Sequence, residues 1–130
     1  MTTTNVEQTV HFSASLGRTY RAIADSAEHS AFTGAPAAIP VEQGAAFTTH
    51  GGEIEGRILE VVANERIVQA WRPRGWPEGT YSIVRYDFSG NDEGTEIHLS
   101  HTGLPDGAAD HIADGWQKMY WTPLAEYLKS

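Results

Sequence analysis

The sequence predicts an α+β fold, a strongly bent antiparallel sheet wrapped around one long C-terminal helix, with two short helices after the first strand. Three observations carry this. Across residues 38–102, apolar residues recur with period two, in runs separated by turn signals. Residues 106–130 switch to a helical period, with Ile112, Trp116, Tyr120, Leu124 and Leu128 four apart. Ahead of the sheet region stand one alternating run and two short helical segments.

Each element has a local reason. In the first strand, residues 4–12, Val6, Val10 and Phe12 point one way and Glu7, Thr9 and His11 the other. Ser13 or Ser15 caps a helix with Leu16, Tyr20, Ile23 and Ala24 as its apolar stripe, ending at Asp25-Ser26. Ser26 caps a second helix, 27–32, closed by Thr33-Gly34-Ala35-Pro36. Six strands are then expected at 38–42, 45–50, 53–62, 66–73, 80–89 and 95–102, which makes seven in all. Gln43-Gly44, Gly51-Gly52, Ala63-Asn64-Glu65 and residues 90–94 supply turns. Such tight turns make neighbours antiparallel. The alternation breaks at Ile58-Leu59, which predicts a bulge and hence curvature.

In the last helix, Asp106, Asp110 and Asp114 stack near the positive end of the dipole, and Asp114 faces Lys118 one turn on. At 100° per residue, Ile112, Trp116 and Met119 share one direction, whereas Leu124 and Leu128 lie roughly a third of a turn away. Pro123 marks the changeover and removes a hydrogen bond. The first half is expected to close over the sheet near His101. The second half is expected to pack on the first strand and helix. Trp121 falls on the polar side of this wheel.

With 130 residues the chain is sized for one domain, 1–130. It has no cysteine, which excludes thiol chemistry and a disulfide framework. The first residues lack the basic start and apolar run of a signal peptide. No stretch approaches the roughly 20 apolar residues of a membrane span. A cytoplasmic location is therefore expected. The net charge of −8 argues against nucleic acid and anionic membrane surfaces as partners.

Several stretches together are similar to one family. They are Tyr20-Arg21-Ala22, residues 29–37 (HSAFTGAPA), Trp71-Arg72, residues 76–82 (WPEGTYS), residues 101–105 (HTGLP) and Gly115-Trp116. The chain resembles the C-terminal domain of activators of the heat-shock chaperone ATPase, within the SRPBCC or START-like helix-grip superfamily, from Val10 to Leu128. The resemblance implies a seven-stranded sheet gripping the C-terminal helix. It brings in two partners: a heat-shock chaperone ATPase, and a hydrophobic small molecule held between sheet and helix. The superfamily also holds cyclases and oxygenase subunits, so the fold alone does not name an activity. In the eukaryotic co-chaperone, a separate N-terminal domain makes much of the chaperone contact.

The residues themselves narrow the chemistry. His101 is in phase with Ile97 and Leu99 and points inward, while His98 points to solvent. An inward histidine serves as a general base, a ligand contact, or a core residue satisfied by backbone or by Tyr120. His29, His50 and His111 read as surface residues. Glu53, Glu55 and Arg57 form a solvated row. Metal, phosphate-loop and nucleophile-elbow motifs do not occur, and no cofactor is expected. Val84, Tyr86, Phe88 and Ile97 read as core.

The expected cavity lining is His101, Trp116, Tyr120, Met119, Trp71, Phe47 and Phe32. Aromatic residues with polar tips around one inward histidine suit an apolar ligand with one or two polar groups. The loop of residues 72–79 concentrates Arg72, Arg74 and Trp76 on an acidic protein, and these, with Trp121, are the expected protein-contact residues. Either Trp76 anchors a partner or it folds back over the barrel end. A non-enzymatic ligand-binding module is the first expectation. A co-chaperone-like interaction domain is the second and an enzyme using His101 the third. The chain is expected as a monomer or a homodimer.

Overall fold

The computed structural model describes residues 4–40, 42–105 and 107–129. Strand β1 (Thr4–Phe12) leads into helices α1 (Leu16–Ala24) and α2 (Ser26–Thr33). The sheet continues with β2 (Ala46–Thr49), β3 (Ile54–Val62), β4 (Arg66–Pro73), β5 (Ser82–Asn91) and β6 (Gly94–Leu104). The chain ends in α3 (Ala109–Trp116), a π turn (Gln117–Trp121) and α4 (Thr122–Leu128). The strand order is β1-β6-β5-β4-β3-β2, and every pairing is antiparallel.

Among the described residues six strands stand where seven were expected. Residues 38–42 contribute only a single bridge, Ala38 to Thr48. Pro40 interrupts that segment and has no amide to donate to a ladder. Val41 lies outside the described residues. The expected bulge is present, since the β3–β4 register shifts between Ile58 and Glu60. It bends the sheet toward the helix.

The caps differ in one place from expectation. Ser15 caps α1 by accepting the Arg18 amide. Helix α2 is capped by Asp25, which accepts the amide of Glu28. Ser26 instead accepts the Ile39 amide at 2.7 Å and so ties the incoming loop to α2. Gly34 closes α2 in the left-handed conformation at φ 75°. Asp106, expected at the start of the last helix, lies outside the described residues. Helix α3 has Ala108 at its cap position, and no side chain caps it.

The last helix is one continuous rod with a defect in the middle. The Thr122 amide reaches back five residues to the Gln117 carbonyl, a π-type bond. Pro123 follows directly. Such a turn advances by less than 100° per residue, so it carries Trp121 round toward Trp116. Trp121 is 3% exposed, and its ring stacks on Trp116 at 5.6 Å. The wheel placed it on the polar side because it assumed an unbroken helix. The halves do face different neighbours. Trp121 and Ala113 hydrogen-bond Gln8 of β1. Tyr127 of α4 meets Arg18 of α1 and Glu28 of α2. The first half thus lies over β1 at Gln8, while the end of β1, at His11 and Phe12, runs on beside Ala125 and Leu128 of the second half.

The core is one cluster between the concave sheet and this helix. Val84, Tyr86, Phe88, Ile97 and Leu99 rise from the sheet, and Trp116, Tyr120, Trp121 and Leu124 descend onto them. Between the strands, the packing at Gly56 leaves room for no side chain. A Cβ added at Gly56 would stand 1.7 Å from the Ala70 carbonyl oxygen and 2.9 Å from the Phe47 ring. Gly56→Ala is expected to destabilise the fold by about 2–3 kcal/mol through forced separation of β3 and β4. Urea unfolding of the variant checks this, and an unchanged midpoint would contradict the geometry.

Candidate functional site

A cavity of about 240 Å³ opens between the last helix, the start of β3 and the middle of β4. Its wall is Trp71 from β4, Trp116 and Gly115 from α3, Met119 and Tyr120 from the π turn, Ile54 from β3, and His50 and Glu53 from the turn before β3. Trp71, Trp116, Met119 and Tyr120 were legible as lining from the sequence. His50, Glu53, Ile54 and Gly115 were not. Gly115 matters by lacking a side chain, because a Cβ there meets nothing within 4 Å. Met119 is 49% exposed and sits at the rim.

The other expected lining residues lie elsewhere. Phe47 is buried over Gly56, outside the cavity wall. Phe32 packs behind Tyr120 at 5.9 Å and beside Tyr127. Both are core: Phe47 covers the bare Gly56 of the neighbouring strand, and α2 carries Phe32 against Tyr120 and Tyr127.

His101 points inward as expected, but it is fully enclosed. The Trp116 indole N–H donates to its Nδ1 at 3.0 Å. Indole only donates, so Nδ1 is bare and Nε2 carries the proton. Nε2 donates to Ser82 Oγ at 2.6 Å, and the Ser82 hydroxyl passes on to the Trp71 carbonyl. Both ring nitrogens are used, and Trp71 and Trp116 separate the ring from the cavity. Its partners are Ser82 and Trp116, not Tyr120. Burial holds its pKa down at about 3, so it is neutral near pH 7. A neutral, satisfied, enclosed imidazole braces β6 against the helix.

Tyr120 meets a different histidine, one that was assigned to the surface. His29 is 2% exposed on the inner side of α2. Its Nδ1 pairs with the Ile23 carbonyl at 2.9 Å and its Nε2 with the Tyr120 hydroxyl at 3.1 Å. Burial, with smaller effects from the Ile23 carbonyl and His50, brings its pKa to about 4. The Tyr120 hydroxyl also bonds the Thr49 and Tyr86 side chains. His50 is half-buried, 5.3 Å from the Tyr120 ring, and burial lowers its pKa too. Its backbone is left-handed at φ 53°, followed by Gly51 at 65° and Gly52 at 93°. The polar alternation around these residues hid them, because His29 lies on a short helix with a weak apolar stripe.

The loop after β4 is held from within. Arg72 donates to the carbonyls of Pro77 and Trp76 and pairs with Glu55. Glu55 is thus a loop brace, not part of a purely solvated row. Trp76 lies edge-on to Trp71 at 5.8 Å and is half-buried. Arg74 stays exposed, with Glu53 at 4.0 Å. Trp121, expected among the contact residues, is buried by the π turn and offers no free surface.

Comparison with known proteins places this geometry among relatives. The family described as Activator of Hsp90 ATPase homolog 1-like protein matches residues 13–129. The mouse Activator of 90 kDa heat shock protein ATPase homolog 2 is 32% identical over 98 residues, 75% of this chain and 30% of that protein. The human homolog 1 is 29% identical over 107 residues, 82% of this chain and 32% of that protein. The chain thus spans about a third of the length of the curated relatives it matches. Among solved structures, an HSP90 activator from Plasmodium falciparum superposes with a TM-score of 0.90 over 96% of each chain at 23% identity, a likeness of fold. Among the described residues, no helix is long and apolar enough to cross a membrane.

The two enclosed histidines make stability depend on pH. Both folded pKa values lie below the ordinary 6.5, at about 4 and about 3. As pH falls below 6.5, the unfolded chain takes up protons that the folded chain refuses. Stability is therefore complete above 6.5 and is lost on the way down toward 4. Denaturant unfolding is expected to show little change from pH 8 to 7 and a loss of roughly 2 kcal/mol per histidine by pH 5. His29→Gln should remove about half of that acid-side loss. A flat profile down to pH 5 would show that these histidines are not held neutral.

Proposed function

The chain belongs to the Activator of Hsp90 ATPase homolog 1-like family, and from that premise we propose that it is a non-enzymatic helix-grip module binding a mostly apolar small molecule between sheet and C-terminal helix. The apolar cavity of about 240 Å³ walled by Trp71, Trp116, Met119 and Tyr120 carries this reading. Rigid aromatic walls preserve such a space, since they do not collapse into it as flexible aliphatic chains do. Catalysis by His101 has no geometric support, because no ligand in the cavity reaches its ring nitrogens.

Titration with neutral bicyclic aromatic probes should change Trp71 and Trp116 fluorescence and saturate. Gly115→Leu, which projects into the open space, should weaken binding at least tenfold while the melting temperature holds. Absence of a saturable change with any apolar probe would sink this reading.

A second reading is favoured by the relatives, which are activators of the 90 kDa heat shock protein ATPase. The domain would then contact a chaperone of that type through the exposed Arg74 and the half-buried Trp76. Binding to the purified chaperone, followed by its ATPase rate, tests this. Arg74→Glu is expected to weaken association several-fold and to make it less salt-sensitive. Unchanged binding by that variant would remove the loop from the interface.

A further inference from the structure

The proton positions around Tyr120 follow from a single fixed acceptor. The Ile23 carbonyl can only accept, so His29 Nδ1 carries the proton. His29 is neutral, which leaves its Nε2 bare, and the Tyr120 hydroxyl must donate to it. Tyr120 has no second proton. Its bonds to Thr49 and Tyr86 are therefore donated by those hydroxyls. Thr49 has spent its proton on Tyr120, so the 3.4 Å contact between Thr49 Oγ1 and His50 Nδ1 runs from His50. His50 thus holds its proton on Nδ1. Its Nε2 is a bare lone pair, buried and without any hydrogen-bond partner.

An unpartnered buried acceptor is unfavourable, because it has given up water without gaining a donor. Here it coincides with a left-handed non-glycine backbone, a further departure that surrounding structure must hold in place. Both occur on a residue that lines the cavity, and the rest of that wall is almost entirely apolar. The charged residue of the wall is Glu53, an anion at the exposed rim. An anionic ligand would meet it unfavourably.

We propose that His50 Nε2 is the polar anchor of the cavity, and that the ligand is a neutral, flat, apolar molecule carrying a hydrogen-bond donor, a phenol-type hydroxyl, that points at it. A small rotation of the imidazole about its soft terminal torsion presents Nε2 to the cavity. The Thr49–Tyr120–His29 chain behind it then fixes which nitrogen accepts. This rests on the ligand-binding reading above and adds the chemistry of the polar group.

The test compares 2-naphthol with 2-methoxynaphthalene, equal in ring system and differing in the donor. Isothermal titration of the wild-type chain is expected to give at least tenfold tighter binding of 2-naphthol. In His50→Gly, which suits a positive φ, and in His50→Asn, which tolerates one, the two probes should bind within about twofold of each other. Nitrogen-15 spectra of the wild type should show His50 protonated on Nδ1 and its Nε2 signal shifting with 2-naphthol only. Equal affinities in the wild type, or a preference that survives both variants, would overturn the anchor while leaving the cavity reading intact. If neither probe binds, the cavity reading falls and the anchor with it.

Discussion

Pro123 carries no amide hydrogen, so the carbonyl a turn before it has no partner in a regular α-helical ladder. The helix answers with an i→i+5 bond from Thr122 to Gln117. That one change of pitch sets what faces the sheet. Trp116, Tyr120, Trp121 and Leu124 all come to one side, where a regular helix would have turned Trp121 away. Each of the three aromatic residues then fixes a different part of the domain. Trp116 sets the proton of His101 on β6, Tyr120 reaches His29 on α2, and Trp121 holds Gln8 on β1. The π turn is the joint at which strand, sheet and helix are registered against one another.

Concentrating polar tips in the core has a consequence for the histidines. A buried indole N–H or phenol O–H needs an acceptor. A neutral imidazole supplies one while its second nitrogen donates onward to backbone. His101 and His29 do this in mirror fashion. One takes the proton on Nε2 and ends at the Trp71 carbonyl through Ser82; the other takes it on Nδ1 and ends at the Ile23 carbonyl. Both chains close on carbonyls that cannot do anything but accept. That closure lets two imidazoles stay enclosed and neutral near pH 7.

The architecture was legible because it rests on periodicity. Period two in β3 to β6 and the bulge at Ile58 survive into the structure almost residue for residue. The strand expected at 38–42 shows the limit: its described residues form a single bridge, since Pro40 cannot donate to a ladder, and alternation alone does not weigh that. Half of the cavity wall was legible for the same reason as the core, since Trp71, Trp116, Met119 and Tyr120 lie on the strongly patterned elements. His29 and His50 were not, because short elements carry too few residues to define a face. Trp121 was misplaced by a wheel that had registered Pro123 as a kink but not as a change of pitch.

The two histidines of interest also exchange roles between sequence and structure. His101 drew attention because it sits in phase with Ile97 and Leu99, and that same phase buries it among partners that complete its valence. His50 drew none because it precedes Gly51-Gly52 and reads as a turn. That turn holds three left-handed residues in succession, His50, Gly51 and Gly52, and only two of them are glycine. The regular strand satisfies its histidine from Ser82 of the neighbouring β5 and from Trp116 of the helix above. The turn has only Thr49 beside it, and Thr49 has a single proton already engaged by Tyr120. The unsatisfied lone pair therefore falls at the one histidine that faces the cavity, where something other than this chain can complete it.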